Sequence, residues 1–280
     1  MAEISLLDKS YNKDNSENYH ISIQVEPGGV CFCILDINSN HYIVFKKHNI
    51  EKTNDFESLT NKLEQILDAD ETLHTSFKST SLIYLTQKST FVPEFFFDEQ
   101  NLRDYFEFNH VLEDLDEIHY NKIEEIKASN VFALHTDVAN LFYTKFKGLK
   151  YFHQATPFVK SILKDFVQSS SIHLNLNAGF FDIAVKQDDK LVLYNTFLYQ
   201  NETDLLYYVL FIINQLKLDA QTIYMTLSGE LSDRIAYQEA LLKYVPNLMY
   251  LEPVSPSFCG IFERINTHKY FNLFYLYNCG

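Results

Sequence analysis

One stretch of this chain occurs twice. Residues 21–28, ISIQVEPG, align position by position with residues 172–179, IHLNLNAG. Both alternate polar and apolar side chains at the period of a half-buried strand, and both end on a glycine where a hairpin turn is due. Each copy opens a similar run of elements. In the first, strands over 20–25, 30–37 and 41–45 precede a helix over 55–68, which has Asn54 as candidate cap and Leu59, Leu63, Ile66 and Leu67 at helical spacing. A strand over 81–86 follows, then a strand over 130–134 and a helix over 137–146. In the second copy, strands over 172–176, 180–186 and 190–197, with Asp188-Asp189 as a turn, lead to a helix over 201–216. A strand over 222–227, a helix from about 231 to 244 and a strand over 248–251 complete it.

Repetition of this kind makes two related lobes. A meander followed by alternating helices and strands makes each lobe a mixed sheet covered by helices. The division is a loose, Asn-rich leader over 1–18, a first lobe over 19–155 and a second over 156–280. A chain of 280 residues has room for both. Residues 93–125 have no counterpart in the second copy; they carry eleven acidic side chains against Arg103 and Lys122.

Composition narrows the function. A formal charge of -14, with no basic stripe, repels phosphate backbones and excludes nucleic acid as a partner. No apolar run is long enough to span a bilayer, and the N-terminus lacks the basic and apolar segments of a signal peptide, so the expected location is cytoplasmic. Cys31, Cys33, Cys259 and Cys279 form neither a disulfide framework nor a zinc motif; they read as free thiols, and no metal site is expected. The chain has 24 Phe and 19 Tyr but no Trp, a surplus that either fills the core or covers a partner surface.

Catalytic motifs are sparse. There is no Walker loop, dinucleotide fingerprint or Gly-x-Ser-x-Gly elbow; Ser169-Ser170-Ser171 reads as a lobe connection. His135 stands between a strand and a helix without a sequence partner. Asp182 is a candidate base, expected to face solvent on a half-buried strand. No catalytic residue is assigned.

The doubled meander-helix-strand-helix-strand unit resembles the duplicated ribonuclease H-like fold of the actin, Hsp70 and sugar kinase superfamily. The resemblance implies a two-lobed α/β protein of actin-like ATPase fold with mixed five-stranded sheets. It also implies ATP and magnesium held at the hairpin turns, by an Asp-x-Gly turn in each lobe. Here those turns read Glu26-Pro27-Gly28-Gly29 and Asn177-Ala178-Gly179-Phe180, with Leu227-Ser228-Gly229-Glu230 at the place of the later nucleotide turn. The candidate cofactor residues are therefore Glu26, Gly28, Gly29, Gly179 and Gly229, with Ser228 alternatively a helix cap. The glycines stand where the superfamily has them and the acids do not. Phe180 and Phe181 are large and would crowd a phosphate if they pointed inward.

The segments 91–102 (FVPEFFFDEQNL), 105–109 (YFEFN), 130–132 (NVF) and 206–211 (LYYVLF) resemble an uncharacterised bacterial family of actin-like ATPase fold without established activity, over residues 19–252. That resemblance implies a fold and no catalytic residue. The expected function is a non-catalytic scaffold with a degraded nucleotide site, the alternative an ATP-dependent ATPase or small-molecule kinase. The expected contact surface for a protein partner is 93–125, with Phe95, Phe96, Phe97, Tyr105 and Phe106 interleaved among the acids. A homo-oligomer is left open.

Overall fold

A computed structural model describes every residue except 1, 2, 27, 52–54, 165, 167, 232, 233 and 255. The chain divides into two compact units, residues 1–157 with 255–265 and 273–280, and residues 158–254 with 266–272.

The first unit opens with β1 (Ile4–Leu7), followed by the meander β2 (Tyr19–Glu26), β3 (Gly29–Asp36) and β4 (His41–Asn49), then α1 (Phe56–Ala69) and β5 (Ser79–Tyr84). The α1 cap is Asp55, whose carboxylate accepts from the Ser58 N–H at 2.7 Å; the expected cap, Asn54, lies outside the described residues. Leu59, Leu63 and Leu67 recur at four-residue spacing and are buried with Ile21, Ile23 and Val25 of β2. Each such burial stabilises by about 1.5–3 kcal/mol, which is why this stripe was readable from spacing.

An insert follows. β6 (Ser89–Pro93), α2 (Leu102–Glu107), β7 (Asp116–Ile123) and β8 (Ala128–His135) build a separate antiparallel sheet in the order β6-β8-β7, with its own core of Val92, Phe106, Val131 and Ala133. The strand expected over 130–134 therefore exists but belongs to this sheet. Apolar alternation gives a strand its face and not its neighbour. The chain returns through α3 (Thr136–Lys145) to β9 (Lys150–His153), a four-residue strand too short for the pattern to reveal.

The second unit is entered through α4 (Ala155–Lys164) and contains β10 (Ser171–Leu176), β11 (Phe180–Gln187), β12 (Lys190–Leu198), α5 (Glu202–Gln215), β13 (Tyr224–Ser228), α6 (Ile235–Leu242) and β14 (Leu248–Tyr250). Asp188 and Asp189 both take positive φ, 49° and 61°, as a two-residue hairpin turn requires. The sheet order is β12-β11-β10-β13-β14, and the first unit runs β4-β3-β2-β5-β9 in the same pattern. In both, the three meander strands are antiparallel and the last two join in parallel.

Three expectations are corrected. The leader expected over 1–18 is not loose in its described part, 3–18: β1 pairs antiparallel with β4, Ile4 opposite Lys47 and Leu7 opposite Val44, and Lys13–Asn18 is a 3-10 helix. With β15 (Ser257–Phe258), which pairs in parallel with β4, this sheet has seven strands among the described residues instead of five. Residues 255–265 and 273–280, assigned to the second lobe, pack with the first unit: Phe274, in α7 (Phe271–Tyr275), contacts Tyr42 and Phe45, and Leu276 joins Ile83 and Phe152. Burial against a distant sheet leaves no local period to read. Among the described residues no helix is long and apolar enough to cross a membrane.

Candidate functional site

The two hairpin turns differ in what their glycines do. Glu26, half-buried, ends β2 opposite Gly29. The Gly28 carbonyl accepts from the Ile50 N–H at 2.9 Å, and a Cβ at Gly28 would meet nothing within 4 Å. Gly29 has φ +155° and lies against β4, where a Cβ would collide with the carbonyl oxygen of His48. Packing alone thus accounts for a glycine there.

In the second unit Gly179 takes φ +85° with open space where a side chain would stand. Gly229, φ +92°, is pressed onto the end of β10: a Cβ would collide with the Leu176 carbonyl and sit 2.9 Å from Asn175 Oδ1. Its N–H donates to the His268 carbonyl at 3.0 Å. The fold thereby brings Gly229 beside the strand that leads to the Gly179 turn, while Glu26, Gly28 and Gly29 lie in the first unit.

The polar side chains around the Gly179 turn are turned to one another. Asn177 is buried; its N–H donates to the Phe180 carbonyl at 2.9 Å and its carbonyl accepts from Tyr199 Oη at 2.8 Å. Asp182 does not face solvent as expected. It is fully buried, with Oδ1 accepting from Thr196 Oγ1 at 2.7 Å and Tyr194 Oη at 2.9 Å. Burial first, and Asp182 second, push the Tyr194 hydroxyl well above its ordinary range, so it stays a donor. A buried carboxylate needs such donors, since an unmet one costs several kcal/mol. Ser228 ends β13, fully buried, and donates to Asn175 Oδ1 at 3.2 Å; it is not a helix cap, because α6 starts only at Ile235. Phe181 is buried in the core of the second unit, and Phe180 is half-buried at the start of β11.

The structure also assembles a site that sequence reading missed. A cavity of about 980 Å³ in the first unit is lined by Lys46, His48, Asp70, Thr72, Tyr11 and Lys62, among others. Asp70 has Oδ1 2.7 Å from Lys46 Nζ and Oδ2 3.2 Å from His48 Nε2. Desolvation is the largest influence on Asp70, yet the hydrogen bonds from His48, Lys46 and Thr72 outweigh it and hold the carboxyl well below its usual range. Residues about twenty apart on a strand and a helix end form no motif, so no local signal existed. His135 stacks on Phe56 at 4.0 Å with its Nδ1 3.8 Å from Asp137. Among the described residues, no three His, Cys, Asp or Glu side chains converge as metal ligands. Cys31 and Cys33 are buried.

On the insert, Phe95, Phe96 and Phe108 are 90%, 66% and 87% exposed. Phe97 and Tyr105 are half-buried and stack at 6.2 Å. Phe106 is fully buried in the insert core, so it is not part of the expected contact surface. A second cavity, about 970 Å³, is lined by Glu94, Asp98, Glu99 and Glu124 along with Lys122 and Lys127.

Residues 8–248 match the model of the family described as "Protein of unknown function (DUF3822)". The chain belongs to that family. No curated protein matches. Among solved structures, this family member is similar to a Bacteroides thetaiotaomicron VPI-5482 protein described as having an actin-like ATPase fold and unknown function. The TM-score is 0.78 at 20% identity, over 86% of this chain and 93% of that one. It is also similar to a chain of the PilM-PilN type IV pilus biogenesis complex (TM-score 0.60, 9% identity, 93% and 98% covered). A third likeness is to the ethanolamine utilization protein EutJ from Carboxydothermus hydrogenoformans (0.52, 7%, 96% and 92%). The DUF3822 chain has the actin-like ATPase fold.

Proposed function

We propose that this protein is a non-catalytic, cytoplasmic, actin-like binding module that takes a basic protein partner on its insert and whose nucleotide site is degraded. The observation that carries the reading is the insert surface. Three exposed phenylalanines stand in a segment with eleven acids against two basic residues. Aromatic side chains are the usual anchors of interface centres, and one-sided charge steers a partner of opposite sign. The acid-lined cavity on the same insert gives a lysine or arginine of such a partner a place to enter. A protein of this fold is found in the PilM-PilN complex, which supports partner binding at the level of fold.

The site residues support the loss of phosphate chemistry. Phosphoryl transfer depends on charged groups aimed at phosphate and magnesium. Asn177 is neutral and its side-chain amide donates to the Asn175 carbonyl, Asp182 Oδ1 accepts from Thr196 and Tyr194 and its Oδ2 from Asn175, and a Cβ at Gly29 or Gly229 would strike adjacent backbone. These residues fit a closed structural turn better than a magnesium-phosphate cradle.

Photo-crosslinking from position 95 or 96 in the native cell tests the partner. A discrete adduct, lost when Glu94, Asp98 and Glu99 are changed to Lys, is expected; an adduct unaffected by that reversal would sink the reading. A second reading keeps ATP because Gly28 and Gly179 leave open space at their turns. Titration with ATP decides between them: magnesium-dependent micromolar binding, lost in Glu26→Gln, would replace the scaffold with an ATP-binding enzyme.

A further inference from the structure

The second lobe provides a control for the cavity that holds Lys46, His48 and Asp70. Val30 pairs with His48 as Phe181 pairs with Phe197, and Phe32 pairs with Lys46 as Ile183 pairs with Asn195. His48 and Lys46 of β4 thus correspond to Phe197 and Asn195 of β12. The helices that follow, α1 and α5, have 14 residues each, so Lys62 corresponds to Tyr208 and the C-cap Asp70 to the C-cap Leu216. In the second unit this place is filled by packing: Phe197 stacks on Tyr208 at 4.3 Å, and Leu216 lies against the core. In the first it holds an ionic cluster beside a cavity of about 980 Å³. Folding does not ask for these charges, since apolar side chains serve the same place in the other lobe and taking ions out of water is costly. An ionic cluster kept where packing would serve, around a cavity of ligand size, points to a bound molecule.

The lining says what kind. β1, which has no counterpart beside β12 among the described residues, contributes Ser5, opposite Lys46, and Leu7. The lining holds three lysines and three acids. Asp70 is engaged from within: Oδ1 accepts from Lys46 Nζ and from the Thr72 N–H, and Oδ2 faces His48 Nε2. Glu51, Glu71 and Lys13 are exposed to water. Lys46 gives a second N–H to Thr72 Oγ1 at 2.6 Å, and its third has no acceptor among the described residues. Lys62 gives one N–H to the Glu51 carbonyl at 3.3 Å and keeps two. The charged groups left for a ligand are therefore the ammonium donors of Lys46 and Lys62, which suit the two oxygens of a carboxylate. A dianion such as phosphate would meet stronger repulsion from Asp70, one hydrogen bond behind Lys46. Leu7, Ile50, Ile66 and the Tyr11 ring make the rest of the lining apolar.

We propose that this cavity binds a small carboxylic acid in its anionic form, the carboxylate meeting Lys46 and Lys62 and an apolar body lying against Leu7, Ile50, Ile66 and Tyr11. The site is built from residues 5–72 of the first unit alone, so it depends neither on the insert nor on the hairpin turns.

Saturation-transfer NMR titration of the full chain with phenylacetate, phenethylamine and inorganic phosphate tests this. Phenylacetate is expected to bind saturably and at least tenfold tighter than the other two. Ser5→Glu, at an exposed position opposite Lys46, brings a competing carboxylate to the ammonium group and is expected to weaken phenylacetate at least tenfold with an unchanged melting temperature. Lys46→Met removes the donor and should do the same. No saturable binding of phenylacetate, or a preference for the amine or for phosphate, overturns the proposal. So does binding that survives Ser5→Glu, which by itself decides the matter if Lys46→Met does not fold.

Discussion

In the first unit the His20 imidazole lies between two hydroxyls, Ser79 Oγ at 2.8 Å and Ser22 Oγ at 3.1 Å. In the second, His173 lies between Ser171 Oγ at 2.7 Å and Thr226 Oγ1 at 2.8 Å. Each trio spans the first meander strand and its parallel neighbour, on the sheet face opposite the packed core, but the order of His and Ser along the strand is reversed. Two arrangements with the same groups satisfy the same need: a buried ring must meet both nitrogens, and a hydroxyl can donate or accept as required. The hairpin turns that follow these strands have no such equivalence, since one ends on Glu26 and the other on Asn177. Buried polar chemistry has the same composition in the two lobes while the turns do not.

The contrast between turns can be broken most sharply at Gly229 and Gly179. Gly229→Ala adds a Cβ into backbone at positive φ and should destabilise by about 3 kcal/mol or more, read as a lowered urea midpoint. Gly179→Ala, at similar φ but into open space, should cost only about 1–2 kcal/mol. Equal losses would mean that close packing does not distinguish the turns.

The equivalence of the trios is tested by acid. Burial is the largest cause lowering His20 to about 4 and His173 to about 3, with Lys150 and Lys186 adding repulsion to each in turn. His153 is likewise lowered to about 3, again chiefly by burial. A depressed folded value means that the unfolded chain takes up the proton first. Their contribution is therefore complete above the unfolded value near 6.5 and declines as pH falls toward 4 and 3, by about 1.4 kcal/mol per pH unit for each ring. His173→Gln should flatten the fall in stability between pH 6 and pH 5 by that amount, measured by urea unfolding; an unchanged slope would mean that the ring is charged in the fold. The smallest effect concerns the hydroxyls. Ser22→Ala and Ser171→Ala should each cost about 1 kcal/mol, and similarly, because each leaves one buried ring nitrogen unmet.

Much of this fold was readable because its duplication is written in strand periodicity. The two meanders, α1 and α5 follow from the spacing of residues such as Leu59, Leu63, Leu205 and Val209, all buried. What escaped depends on long-range pairing. β1 is four residues in a polar stretch, and β9 is equally short. β8 has a clear strand pattern but joins the insert sheet, a choice made by partners at Thr90 and Tyr120 that its own sequence does not contain. At the candidate site the glycines were legible as turn residues, while the reasons for them came from His48 and Leu176, which no spacing rule connects to Gly29 or Gly229. Asp182 was misplaced because alternation identified its face correctly without revealing that this face is covered.

The strands that flank β4 come from opposite ends of the described chain, and this sets an order on synthesis. A ribosome completes β2 to β5 long before it makes Ser257, Phe258, Phe274 and Leu276, which cover Tyr42, Phe45 and Ile83. All of β10 to β14 emerges in between. The second unit, completed by residues 266–272, can therefore finish folding while the first still lacks 273–280, so a chain halted after residue 272 should retain the later lobe and expose Tyr42, Phe45 and Ile83 of the earlier one to chaperones and proteases.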